Sequence, residues 1–411
     1  MHAAQLVTLA GPARARRGLE MTDLGILQNG GMLIRDGRIE AVGSSREIER
    51  EAGGQAEIIE AEGCVIVPGF VDAHTHLVFG GNRVDEFEQR ARGATYQEIA
   101  AAGGGIRSTV RKTRAASEEE LFNLAKERAG WFLRNGTTTI EAKSGYGLTL
   151  EDELKILRVI RRVGRETPLT TVGTFLGAHA IPPEFAEKRG VYLSLLIDEM
   201  LPRVREEHLA EFADVFCERG YFDLEESRSV LQAAARSGLG LRMHADQLTN
   251  NGGALLAAEI GTVTADHLEQ TDAAGIAAMV TARVQPVLLP ASVYALGLDK
   301  YPEARAMISA GLAVVLASDF NPGSSPTPSL PFVLSLAITQ MKMTPAEAIT
   351  ATTINAAASL RRADQIGSLE TGKLAHFTIF ACADYREIAY WVGAPLVRSV
   401  FVHGREVFAA P

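Results

Sequence analysis

Val67-Pro-Gly-Phe-Val-Asp-Ala-His-Thr-His76 is the stretch from which the architecture can be read. Val67, Phe70 and Val71 give it the character of a buried strand, Pro68 and Gly69 punctuate its entry, and His74 and His76 close it. Alternate residues of a strand point to one side, so the two imidazoles can converge on a single point. Two neutral imidazoles at one point suit a divalent transition metal, which then needs ligands from elsewhere in the chain.

Those ligands are sought among the strands that follow. Near-continuous apolar or β-branched runs at 137–143, 170–176, 213–217, 239–243, 262–265, 284–289 and 313–317 fit parallel strands covered on both faces. Helical stretches separate them. Ser117-Glu-Glu-Glu120 is a capping box ahead of Leu121, Leu124 and Ala125, residues 151–163 are amphipathic and expected to end at Gly164, and Thr344-Pro-Ala-Glu347 is a second capping box. Eight strands alternating with helices predict an α/β fold, a (β/α)8 TIM barrel; a doubly wound open sheet is the alternative. Both ends of the chain read instead as short strands, with Asp36-Gly37 as a hairpin turn and residues 44–52 as a short helix. The expected organisation is a small β-sandwich domain from residues 1–65 and 365–411 around a barrel of residues 66–364.

The composition excludes several classes. The 411 residues are 46% hydrophobic and 22% charged, enough for a large core and unlike a disordered chain. A net charge of -9 with interspersed signs argues against nucleic acid as a partner. No apolar run approaches the length of a membrane span, and the N-terminus has no secretory pattern. Cys64, Cys217 and Cys382 are odd in number and far apart, which fits a reduced, cytoplasmic setting.

Barrel enzymes of this kind carry their sites at the C-terminal ends of the strands. His74 and His76 end the first predicted strand, His179 follows the third, His244 ends the fifth, His267 the sixth and Asp319 the eighth. His74, His76, His244 and Asp319 form the expected metal set, with room for a water whose pKa falls towards neutrality. Asp319 can also take a proton, and His267 is free to stabilise a developing oxyanion.

Phe70-Val-Asp-Ala-His-Thr-His76, His244, His267 and Ser318-Asp319, in that order, resemble the amidohydrolase superfamily across essentially the whole chain. Further motifs narrow the resemblance to the imidazolonepropionase family: His76-Leu-Val-Phe-Gly-Gly-Asn-Arg83, Gly103-Gly-Gly-Ile106, Lys143-Ser-Gly-Tyr-Gly-Leu148, Phe175-Leu-Gly-Ala-His-Ala180, His244-Ala-Asp-Gln247, Ala265-Asp-His-Leu-Glu269 and Asp319-Phe-Asn-Pro-Gly323. That resemblance implies hydrolysis of the ring amide of 4-imidazolone-5-propanoate to N-formimidoyl-L-glutamate in histidine degradation, with one zinc or iron ion per chain and a homodimer. It assigns substrate contacts to Arg83, Tyr146, His179, Gln247, Asn321, Gly323 and Ser324. Arg83 can grip the propanoate in a bidentate fork. Gln247 stands where some family members have glutamate, so it hydrogen-bonds rather than acts as a base. Lys143 and Glu218 are the residues to watch as ligands of a second metal, although the resemblance favours one. A deaminase acting on another small heterocycle, and a metal-free scaffold, are the competing readings. The Gly103–Gly105 stretch reads as a mobile loop over the pocket rather than a phosphate site, with Arg107, Arg111 and Arg114 placing positive charge nearby.

Overall fold

The computed structural model describes residues 1–54, 56–94, 98–99 and 102–411. Strands β1 (Ala3–Val7), β2 (Ile26–Arg35), β3 (Arg38–Ser44) and β4 (Val65–Pro68) come from the N-terminal end. The barrel strands are β5 (Phe70–Thr75), β6 (Thr137–Lys143), β7 (Thr170–Ala178), β8 (Phe212–Cys217), β9 (Gly240–Ala245), β10 (Thr264–His267), β11 (Gln285–Leu288) and β12 (Val315–Leu316). The C-terminal end supplies β13 (Phe377–Phe380), β14 (Val397–Val402) and β15 (Arg405–Ala409).

The two ends do pair. One seven-stranded sheet runs β15-β14-β13-β4-β1-β2-β3, joined across the ends by the antiparallel β13–β4 register, Thr378 opposite Val67. Its hairpin turns at Asp36-Gly37, and Ser44 caps the helix Ser45–Ala52 through a capping box with Glu47. The second sheet has eight strands in sequence order, β5 to β12, every described pair parallel. Past the short β12 the seam closes on backbone bonds: Asp319 N–H donates to His74 O at 3.1 Å and His76 N–H to Phe320 O at 2.8 Å. The closure of the barrel therefore fixes Asp319 beside both histidines.

Two expectations need correction. The run from Val67 to His76 is two strands in two sheets, and it breaks at Gly69. Pro68 has no N–H to carry a ladder onward, while Gly69 N–H donates to His376 O at 2.9 Å and Phe70 N–H to Gly136 O at 3.0 Å. Gly164 does not end its helix, which continues from Leu150 to Glu166. Its missing side chain serves packing instead, because a Cβ there would collide with Thr171 at the start of β7. The capping boxes at Ser117 and Thr344 start their helices as expected. Among the described residues no helix is long and apolar enough to cross a membrane. All three cysteines are free and buried.

Gly69 sits where the two sheets meet, and a Cβ on it would overlap the Thr138 side chain of β6. Gly69→Ala is expected to lower stability by about 1–3 kcal/mol. Adding Thr138→Ala should recover part of the loss, measured as the shift in the thermal unfolding midpoint. Equal midpoints for Gly69→Ala and the parent would show that the junction is not close-packed.

Candidate active site

The C-terminal ends of the barrel strands converge on a buried cluster of imidazoles and one carboxylate. Candidate donor atoms of His74, His76 and His244 lie within 4.8 Å of one another, as do those of His74, His267 and Asp319. His74 Nε2 is 3.6 Å and His76 Nε2 3.5 Å from Asp319 Oδ1. His74 Nε2 and His76 Nδ1 are buried without a hydrogen-bond partner. Unpartnered buried nitrogens are costly. Three imidazoles and a carboxylate at this spacing fit a divalent transition metal as donors.

A second layer of charge lies behind the imidazoles. His74 Nδ1 donates to Asp266 Oδ2 at 2.6 Å, which leaves Nε2 with its lone pair towards the cluster. His244 Nδ1 faces Asp214 Oδ2 at 3.1 Å. Lys143 Nζ joins these two carboxylates, 2.8 Å from Asp214 and 3.7 Å from Asp266, and also pairs with Glu141 at 2.8 Å. Arg242 lies 3.6 Å from Asp266 and donates to Ala73 O at 2.7 Å, bracing the strand that carries His74. All these side chains are fully buried. Burial, the Lys143 charge and the neighbouring imidazoles hold His74 well below the ordinary histidine pKa, and burial with His179 and His244 does the same for His76. Burial opposes protonation of His267 too, yet Glu269, Asp319 and Asp266 together raise its pKa. Burial raises the Asp319 carboxyl. His267 and Asp319 hold positive φ of 78° and 54°, a backbone conformation that non-glycine residues rarely adopt and that concentrates at functional sites.

Around this centre the structure brings together most of the residues singled out by sequence. His76 stacks on His179 with ring centroids 5.2 Å apart, and Tyr146 lies 5.7 Å from His76 and 5.3 Å from His179. Burial, with the neighbouring His244, pushes His179 down to about 3. Arg83 is buried and donates from Nε to Thr109 Oγ1 at 2.8 Å. Its guanidinium crosses the space that a Cβ on Gly323 would fill. Asn321 is used within its own loop: Oδ1 accepts from Gly323 N–H and Ser324 N–H, both at 2.8 Å, and Nδ2 donates to Asp319 O at 2.7 Å. Ser324 Oγ donates to Asp319 Oδ2 at 3.3 Å. Gln247 lines a cleft of about 230 Å³ with Glu269, Gln270 and Ser292.

Glu218 belongs to no cluster of His, Cys, Asp or Glu metal donors among the described residues. Lys143 is ion-paired, and Glu218 accepts from Leu248 N–H at 2.8 Å and from Thr249, anchoring the loop after β9. Asp214, Asp266, Arg242 and Glu153 carry no role in the sequence expectations. Glu153 is buried and accepts from Gly145, Gly147 and Leu148 N–H at 2.9, 2.8 and 2.7 Å, shaping the loop that holds Tyr146. The available signal was ionisable residues inside strands that otherwise read as apolar, such as Glu141 and Lys143 in Thr137-Thr-Thr-Ile-Glu-Ala-Lys143.

Residues 65–407 match the amidohydrolase family model. An imidazolonepropionase of Solibacter usitatus is 60% identical over 98% of this chain and 97% of its own length. Those of Geobacillus kaustophilus and Symbiobacterium thermophilum are 49% and 48% identical, each over 98% of this chain and 96% and 95% of their own. The chain belongs to the imidazolonepropionase family of amidohydrolases. Among solved structures, Escherichia coli guanine deaminase aligns with a TM-score of 0.74 at 15% identity over 97% of this chain and 98% of its own. A triazine hydrolase variant aligns at 0.75, with 15% identity over 98% of this chain and 93% of its own. At that identity the likeness concerns the fold, the barrel with its appended sheet. The imidazolonepropionase family membership rests on the sequence relatives.

Two cations and three carboxylates meet behind the histidines of this imidazolonepropionase-family chain. Removing one member leaves buried charge uncompensated. Lys143→Met is expected to destabilise the fold by about 3–5 kcal/mol. Lys143→Met combined with Asp214→Asn should lose less than the sum of the two single changes. Denaturant midpoints of the four proteins give that cycle, and strict additivity would mean that Lys143 and Asp214 do not interact.

Proposed function

We propose that this chain hydrolyses the ring amide of 4-imidazolone-5-propanoate to N-formimidoyl-L-glutamate. The observation that carries the reading is the buried cluster of His74, His76, His244, His267 and Asp319, present in a chain 60% identical to an imidazolonepropionase. His74, His76, His244 and Asp319 would hold one zinc or iron ion. When bound there, such an ion supplies Lewis acidity and makes water acidic enough to attack at neutral pH.

The protein side of the reaction follows from the donors and charges in place. Asp319 takes a proton from the attacking water and passes it to the ring nitrogen as the C–N bond breaks, so the carbonyl carbon ends as a carboxylate and the nitrogen as a formimidoyl amine. His267, with Glu269 3.4 Å from its Nδ1, supports the oxygen that gathers negative charge. Arg83, held by Thr109, receives the propanoate; Tyr146 and His179 wall the ring. Gly323 and Ser324 complete the wall beside Arg83, with Asn321 fixing their loop. Gln247, on the loop that Glu218 anchors, meets the substrate as a hydrogen-bonding group.

The test combines elemental analysis with the decay of freshly generated imidazolonepropanoate in ultraviolet absorbance. About one ion per chain and rapid decay are expected; release of ammonia from a nucleobase, with no decay of imidazolonepropanoate, would replace this reading by the deaminase one. Asp319→Ala should abolish turnover, and near-normal kcat in that variant would remove its assigned role. Gly323→Ala, which drives a methyl into the Arg83 guanidinium, should raise KM about tenfold or more with little change in kcat, the loss of one charged hydrogen bond of about 1.5–3 kcal/mol. An unchanged KM would mean that Arg83 does not hold the propanoate.

A further inference from the structure

A cavity of about 630 Å³ opens at the catalytic end of the barrel, over the loops that follow β6, β7 and β8, and its walls are rich in arginine. Arg107, Arg111 and Arg114 reach it from the helix Ile106–Ala115, spaced to share one face, and Arg189 reaches it from the opposite side. Glu184 is the one carboxylate among the lining residues, and Arg114 already pairs with it at 2.7 Å. Arg189 is committed to Glu226 and the Tyr221 carbonyl. Among the described residues Arg111 makes one bond, to Gly103 O at 3.1 Å, and Arg107 is exposed. Two guanidinium groups therefore face the cavity with donors to spare.

The cavity adjoins the candidate active site through its floor. Leu148 and Ala180 line it, two residues from Tyr146 and one from His179. Arg114 donates to Gly147 O at 2.7 Å, so the basic helix is fastened to the Tyr146 loop. The opposite face of that helix carries Thr109, which holds Arg83. The chain as a whole bears -9, and against that background a cluster of arginines is a local attraction for an approaching carboxylate. Clefts lined by one sign of charge raise the local concentration of the opposite ion.

We infer that this cavity is an anion-binding antechamber, with Arg107 and Arg111 as its free charges, that gathers a small carboxylate ligand at the mouth of the active site. The inference rests on the proposed substrate being a carboxylate. It also has a consequence independent of turnover, which is that a simple dicarboxylate such as glutarate binds there.

The test uses the metal-loaded enzyme, an Arg107→Ser, Arg111→Ser double variant, and Arg83→Met. Titration calorimetry with glutarate at low salt should show binding that survives Arg83→Met and weakens about tenfold or more in the double variant. For the anionic substrate, kcat/KM of the parent should fall several-fold as salt rises from about 10 mM to about 150 mM, where the Debye length shrinks from about 30 Å to about 8 Å. The double variant should start lower, respond little to salt and keep its kcat. Glutarate binding that is absent from the parent, or lost in Arg83→Met and unaffected in the double variant, would overturn the antechamber. So would identical salt profiles for parent and double variant. Failure of the parent to turn over imidazolonepropanoate would count against the proposed function alone, because the glutarate titration still decides the cavity.

Discussion

The arrangement depends on one electrostatic constraint: imidazoles gathered in a dry barrel must be pointed inward, and the buried charges that orient them must be compensated. Asp266 and Asp214 orient two of them from behind, each facing the Nδ1 of a histidine, and Lys143 lies between the two carboxylates. Burial works against the Lys143 ammonium, yet Asp214 and Glu141 outweigh it and hold its pKa above the ordinary lysine value. The cation is thereby retained, and together with His244 it holds the buried Asp214 carboxyl well below the usual carboxylate range. An isolated carboxylate at that depth would pick up a proton instead. Asp72 shows the alternative. It is buried in the same strand as His74, has no lysine beside it, and burial pushes its carboxyl up to about 7.

The same constraint explains why the seam of the barrel matters. β12 is only two residues long, so backbone bonds between the segment beyond it and β5 complete the closure. Asp319 is inside that segment. Its backbone is tied to His74 O while its carboxylate faces His74 and His76, so the bonds that close the barrel also place the carboxylate proposed as the fourth donor. Positive φ at Asp319 is the local cost of turning the carboxylate inward immediately after donating to β5.

Much of this was legible in sequence because it follows from strand periodicity and order. His74, His244 and His267 fall at strand ends in the sequence, and a parallel barrel gathers all its strand ends on one face. Pairing of the termini was legible as composition, two strand-rich ends around an alternating middle. The break at Gly69 was not, since Val65–Pro68 and Phe70–Thr75 are both fully buried and apolar enough to read as one strand. Gly164 misled for a related reason: a glycine admitted for close packing and a glycine that ends a helix are the same letter. The partners of the charged strand residues were out of reach. Nothing local says that Lys143 meets Asp214 across β7, or that Asp266 meets His74 from five strands away.

Gly323 illustrates how site residues identified by motif acquire a physical role only in three dimensions. As a family signature it reads as a substrate contact. In the fold it is the absence of a side chain that admits the Arg83 guanidinium, while Thr109 orients the same group from the helix on the other side. Recognition of a carboxylate at this point thus needs three segments far apart in the chain, the loop after β5, the helix Ile106–Ala115 and the loop after β12. Asn321 holds the last of these rigid by bonding Gly323, Ser324 and the Asp319 carbonyl at once. Gly323, which seats the Arg83 guanidinium proposed to bind the tail of the substrate, and Asp319, proposed to move its proton, are therefore mounted on one short, internally bonded loop, so any shift of that loop would disturb both ends of the site together.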